Sequence, residues 1–251
     1  MLQTIEHEGG IRELRLARPP VNALNPALLA ALRRAVEAAP GEGASALLLS
    51  GAPGMFSAGL DVPELLTLDR ERFAAFWRDF YGACTALARS PIPVAAAVTG
   101  HSPAGGAVLA LMCDWRVMAH GPFKIGLNEV QVGLTVPDCI QAALRRLLGS
   151  HRAERLLVAG AMLDAEQARA IGFVDELADV DHVVTHALAW LRELLALPRK
   201  AMLETRAKAR ADLAAMFDPA ALRVEEFLEV WFEPEAQAVL HALVARLKEK
   251  K

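Results

Sequence analysis

Gly100-His-Ser-Pro-Ala-Gly-Gly-Ala-Val-Leu-Ala-Leu-Met-Cys-Asp114 is the stretch on which the fold turns. Ahead of it, Pro93-Val-Ala-Ala-Ala-Val-Thr99 is short, small and apolar, the composition of a buried strand. Behind its glycines, Ala107 and Leu109 to Cys113 are apolar all round, the composition of a buried helix. Gly100, Gly105 and Gly106 predict a turn between the two. A strand, a bare backbone and a helix start leave peptide N–H groups without intrahelical partners, and such groups favour an oxygen carrying negative charge. The same letters also suit a tight turn packed against a neighbouring element.

Working outward, the chain has 251 residues, 54% of them hydrophobic, enough to bury one sizeable core. Its 27 basic and 30 acidic residues leave a net charge of −3, so it has no broad basic field for nucleic acid or an anionic membrane. Cys84, Cys113 and Cys139 lie far apart, with no CxxC pair and no metal-ligand spacing, and read as reduced core thiols. No run of about 18 uncharged apolar residues occurs, and the chain enters an alternating strand at once. The expectation is therefore a cytoplasmic protein without a membrane span or leader.

Residues 2–8 and 11–16 read as an opening hairpin around Gly9-Gly10. A proline-stiffened loop, 17–25, then leads to Asn25-Pro26, a helix cap followed by a first-turn proline. Residues 46–50 form a buried strand. Residues 69–88 form a helix whose Phe73, Phe76, Trp77, Phe80 and Leu87 share one side and read as core. After the Gly100 stretch, short strands are expected at 115–119, 123–125 and 173–175, with helices at 139–148, 153–159 and 164–171. Helices near 180–195, 197–213, 219–232 and 235–248 complete the chain, dividing an α/β body, 1–195, from a helical region, 196–251. Trp231 and Phe232 fit a tail folded back on its own body or packed on another subunit.

Three turns follow three strands: Phe56-Ser-Ala-Gly-Leu-Asp61, Pro103-Ala-Gly-Gly106 and Gly126-Leu-Asn-Glu129. If the strands are neighbours, the turns open at one end of the sheet, where α/β sites form. The first two offer backbone N–H groups and the third a carboxylate. Two N–H donors beside one carboxylate suit removal of a proton next to a carbonyl, the donors holding the enolate oxygen while Glu129 takes the proton. Taken alone, Glu129 also reads as a first-turn carboxylate favouring a helix dipole. Asp61 reads as an N-cap, Asp114 as an ion-pair or capping partner, and His101 as a packed or hydrogen-bonded side chain.

With Arg18-Pro-Pro-Val-Asn-Ala-Leu-Asn25 ahead of them and Cys113-Asp114 closing the Gly100 stretch, these motifs resemble, in order and spacing, the crotonase (enoyl-CoA hydratase/isomerase) superfamily along essentially the whole chain. The resemblance implies a spiral of ββα turns and a C-terminal helical trimerisation region, hence a homotrimer or hexamer. It also implies an acyl-CoA thioester as substrate, its carbonyl held by the N–H groups of Leu60 and Gly105. It further implies that Val21, Ala23, Ala58, Gly59, Leu60, Asp61 and Val62 line the CoA, and that Val108 and Asn128 face the acyl end. No metal or separate cofactor is implied. Hydratases of the family carry two glutamates, and Val108 stands at the position of the first, three residues after Gly105. Glu129 matches the second, and Asn128 stands where hydratases usually have proline. The motifs look most like the mitochondrial-type delta-3,delta-2-enoyl-CoA isomerases, single-glutamate members of the family.

That pattern leads to the expectation of an isomerase that moves a double bond from C3 to C2, one base taking a proton from C2 and returning it at C4. Another crotonase activity, hydratase or hydrolase, and a non-catalytic CoA-binding relative are the alternatives. A dinucleotide site is disfavoured, because Gly41-Glu-Gly43 precedes its strand instead of following it.

Overall fold

A computed structural model describes residues 1–249 of the chain. β1 (Leu2–His7) and β2 (Ile11–Leu16) form an antiparallel hairpin, turned by Gly9 and Gly10 at positive φ. α1 (Pro26–Ala38) begins as its residues require, Asn25 Oδ1 accepting from the Leu28 N–H at 3.0 Å with Pro26 in the first turn. The chain then repeats one unit. β3 (Ala46–Ser50) is followed by β4 (Gly54–Met55), the short α2 (Val62–Leu65) and the long α3 (Arg70–Ala88). β5 (Val94–Val98) is followed by β6 (Gly100–Pro103) and α4 (Gly105–Leu111). β7 (Trp115–Ala119) is followed by β8 (Lys124–Gly126), a 3-10 turn (Glu129–Val132), α5 (Asp138–Leu148) and α6 (Ser150–Ala159).

In each unit the first strand joins a six-stranded sheet, ordered β1-β2-β3-β5-β7-β10, and the second joins a four-stranded sheet, ordered β4-β6-β8-β9. The result is the expected spiral of ββα turns. β9 (Leu163–Asp164), α7 (Ala165–Ala170), β10 (Glu176–Ala178) and α8 (Val183–Leu195) close it. The central strands β3 and β5 are almost wholly apolar and buried because both faces are covered. Leu14, Leu47, Leu49 and Ala96 face the main core with α1, α3 and α4. Ile11, Leu48, Ala95 and Ala97 face α8 through Val183, Ala187 and Leu191. α9 (Arg199–Ala209), α10 (Ala211–Met216), α11 (Val224–Phe232) and α12 (Pro234–Glu249) complete the chain. Within the single chain they lie on its own body. Arg206 and Arg210 reach the Asp114 carboxylate at 2.8 and 3.0 Å, the Trp231 ring stacks on Phe73 at 4.3 Å, and Leu213, Phe217 and Leu240 enter the main core. Among the described residues no helix is long and apolar enough to cross a membrane.

Several expectations need correcting. Gly100 to Pro103 is a strand, not a turn, with Gly100 so close to β4 that a Cβ would fall 1.9 Å from the Gly54 carbonyl carbon. The turn contracts to Ala104, a non-glycine residue at φ +45°. The last strand is Glu176–Ala178, not 173–175, because the Phe173 and Val174 N–H groups both donate to the Ala168 carbonyl. The helix expected over 197–213 breaks at Arg210, whose side chain donates to the Met112 carbonyl and pairs with Asp114. α8 and α11 start later than their apolar patterns suggest, at Val183 and Val224.

Candidate active site

The three turns meet at one end of the sheets. Gly59, at φ +81°, presses so closely on the second turn that a Cβ there would lie 3.1 Å from the Pro103 carbonyl oxygen and 3.4 Å from the Gly105 nitrogen. A Cβ on Gly106 would lie 2.9 Å from the Ser57 carbonyl oxygen, so the start of α4 rests on the first turn. The third turn is tied to the second where the Ala104 N–H donates to the Gly126 carbonyl at 2.8 Å. The 18–25 loop is tied to the first by Ala58 N–H to Val21 C=O at 2.9 Å, Leu24 N–H to Gly59 C=O at 2.8 Å and Asp61 N–H to Leu24 C=O at 3.0 Å. Asn22, another residue at positive φ, donates from its amide to the Phe56 carbonyl, and the Ser57 hydroxyl donates to the Asn22 carbonyl.

This bonding leaves several peptide N–H groups of the turns without an acceptor, those of Leu60 and Gly105 among them. Among the described residues the Leu60 and Gly105 N–H groups donate to nothing, although their neighbours Ala104 and Asp61 are satisfied. Gly105 is buried at the start of α4, Leu60 is half-buried, and both border a cavity. That cavity, about 610 Å³, is lined by both residues and by Val21, Ala23, Ala58, Asp61, Val62, Val108, Asn128 and Glu129. Gly59 is the one expected site residue that is not on its wall; it shapes the turn behind Leu60.

Among the described residues three ionisable side chains line the cavity: Arg18, Asp61 and Glu129. Asp61 is committed elsewhere, pairing with Arg18 at 2.6 Å and capping α2 by accepting from the Glu64 N–H at 3.1 Å. Glu129 is not committed. It is 9% exposed, its Oε2 has no hydrogen-bond partner among the described residues, and burial pushes its carboxyl up to about 7. Its backbone is held by the 3-10 turn, the Leu134 N–H donating to the Glu129 carbonyl and Gly133 closing the turn at φ +78°. Asn128 Oδ1 beside it is also buried without a partner. Val108, 1% exposed in an all-buried α4, supplies apolar wall.

The remaining expectations for individual residues hold. Asp61 is an N-cap, Asp114 is an ion-pair partner that also accepts from the Val94 N–H, and His101 accepts from the Lys124 N–H while meeting Phe123 edge-on. The sequence reading missed other walls. Trp77 and Phe80, assigned wholly to the core, reach the cavity, and α11 and α12 bring Phe227, Leu243 and Leu247 to it. For Trp77 and Phe80 the available signal was their i, i+3 spacing on one face of α3. For the α11 and α12 residues no local signal existed.

Comparison with known proteins gives a consistent result. The profile of the enoyl-CoA hydratase/isomerase family matches residues 6–243. The human mitochondrial enoyl-CoA delta isomerase 1 is 30% identical over 246 residues, covering 96% of this chain and 82% of that protein. A probable enoyl-CoA hydratase of Mycobacterium avium is 36% identical over 215 residues, covering 84% of this chain and 80% of that protein. The crystal structure of human mitochondrial delta3-delta2-enoyl-CoA isomerase superposes with a TM-score of 0.94 at 29% identity, covering 100% of this chain and 99% of that one.

Proposed function

The chain belongs to the enoyl-CoA hydratase/isomerase family, and from that membership we propose that it isomerises 3-enoyl-CoA thioesters to 2-enoyl-CoA by a single-glutamate proton shuttle. The observation that carries this reading is one buried carboxylate with a free oxygen, Glu129 Oε2, on the same cavity wall as two unpartnered peptide N–H groups.

The thioester carbonyl sits against the Leu60 and Gly105 N–H groups, which lower the energy of negative charge on its oxygen. Ionised Glu129 removes the proton from C2. The C2–H electron pair becomes the C1–C2 double bond of the dienolate, and the carbonyl pair moves onto oxygen. The electrons then return, C2–C3 becomes the double bond, and C4 takes the proton back from Glu129. Nothing is left over, so one carboxyl group suffices. Each oxyanion donor contributes on the order of 10²–10³ in rate and a placed base about 10²–10⁴. Burial supports the base role, because a carboxyl near 7 in an apolar cavity is a stronger base than one in water and is still about half ionised at neutral pH. Val108 keeps a second carboxylate and its water away from the double bond, which disfavours hydration of the product.

The 36% identical probable hydratase favours a second reading, hydration across the 2-enoyl double bond. One experiment separates the two: conversion of 3-enoyl-CoA followed by conjugation absorbance, with hydration of 2-enoyl-CoA run alongside, for wild type and Glu129→Gln. The isomerase reading expects isomerisation to fall by about 10²–10⁴ in the variant, with negligible hydration in the wild type. Strong hydration, or a variant that isomerises normally, defeats it.

A further inference from the structure

A second cavity, about 180 Å³, lies beside the first, and the two share two wall residues, Pro137 and Phe227. Its floor is apolar, formed by Tyr81, Val136, Cys139 and Val230, and its rim carries the Arg223–Glu226 ion pair at 2.7 Å. On the near side of the partition, Trp77, Phe80, Leu134 and Ile140 make the end of the first cavity apolar. Phe227 is 4% exposed and lies flat on Trp77, with ring centroids 3.6 Å apart and planes 2° from parallel. It belongs to α11, whereas Trp77 belongs to α3.

We propose that Phe227, with Pro137 beside it, is the partition that ends the acyl channel and so sets the longest acyl tail this protein accepts, the second cavity being the continuation that Phe227 closes off. The inference rests on the acyl-CoA site proposed above and assigns Phe227 as its chain-length determinant. An apolar tail running from the thioester past Glu129 enters the Trp77 and Phe80 end of the cavity and meets the Phe227 ring. Each methylene buried before that point tightens binding about fourfold, and the next has no room. Pro137 has no side chain that can swing aside, so Phe227 is the member of the partition whose size decides the matter.

The test is binding, by calorimetry, of saturated acyl-CoA thioesters of increasing chain length, which no isomerase or hydratase can turn over. For the wild type, affinity is expected to climb about fourfold per methylene and then stop. In Phe227→Ala the climb continues beyond the wild-type break, and Phe227→Leu, which keeps most of the apolar bulk and decides the matter if the alanine variant does not fold, moves the break by a smaller step. Adding Val230→Phe to either variant fills the second cavity and returns the break toward the wild-type length. A break at the same length in wild type and in the folded variants overturns the proposal. If wild type binds no acyl-CoA of any length, the acyl-CoA site itself falls and this inference with it, an outcome distinct from an unmoved break.

Discussion

Glu129 is held where its charge is costly. Its carboxyl stands at about 7 against 4.5 for an ordinary glutamate, with desolvation as the main cause. An acid whose folded-state value is raised holds its proton longer when folded than when unfolded. Its folded state is therefore favoured most below pH 4.5, and that advantage is lost as pH rises through about 7. Spread over that interval the loss comes to about 3 kcal/mol. Glu129→Gln keeps the shape and removes the ionisation. It is expected to melt close to wild type at pH 5 and higher than wild type at pH 8, a difference that calorimetry at the two pH values reads directly. Equal melting at pH 8 would mean that the carboxylate finds solvation inside the cavity. On the proposed single-glutamate reading activity runs the opposite way, because only the ionised form takes a proton. In the wild type kcat/KM is expected to rise with pH through an apparent value near 7, and a profile flat from pH 5 to 8 contradicts a buried base.

At the scale of elements, the two donors exist because turns cross at distances only glycine permits. Gly59→Ala places a Cβ at φ +81°, 3.1 Å from the Pro103 carbonyl and 3.3 Å from the Ala104 Cβ. The left-handed backbone alone costs about 1–2 kcal/mol. The contact also pushes the Leu60 peptide away from Gly105, so kcat is expected to fall by on the order of 10² or more, out of proportion to the lost stability. A variant destabilised to that extent with normal kcat would show that the alignment of the two peptides matters little. What could be read from the letters divides along the same line. The Asn25 cap is legible because a few adjacent residues settle it, and the structure keeps it. β6 was not legible, because its partners β4 and β8 are two and three residues long and lie on either side of it in the chain. Arg210 ends α9 through contacts with Asp114 and Met112, about a hundred residues away, which no helical period reveals.

For the whole molecule, the order of the four motifs carried the family, while the place of Glu129 depended on the third turn meeting the first two and the far wall of the cavity on how the last four helices return to the body. The return is anchored at one point. Asp114 accepts from the Val94 N–H at 2.7 Å at the foot of the sheet and pairs with both Arg206 and Arg210, and its side chain and theirs are 10–11% exposed. Asp114→Ala leaves two nearly buried guanidinium groups without a counter-charge, and breaking such a set costs about 3–5 kcal/mol. In a chain of this length that lowers the melting temperature by on the order of 10 °C. The α9–α12 region also places Leu213, Phe217, Trp231 and Leu240 in the same core as α1 and α3, so the loss is expected in a single transition. Near-ultraviolet circular dichroism, to which the stacked Phe73, Trp77, Phe227 and Trp231 rings contribute beside the Trp115–Trp190 pair of the body, should then melt together with the far-ultraviolet helix signal. An earlier near-ultraviolet transition in Asp114→Ala would mean that the tail comes away from a standing body. The apolar end of the cavity would then be a docked cover, open whenever α11 and α12 are loose, and no longer a wall continuous with the core.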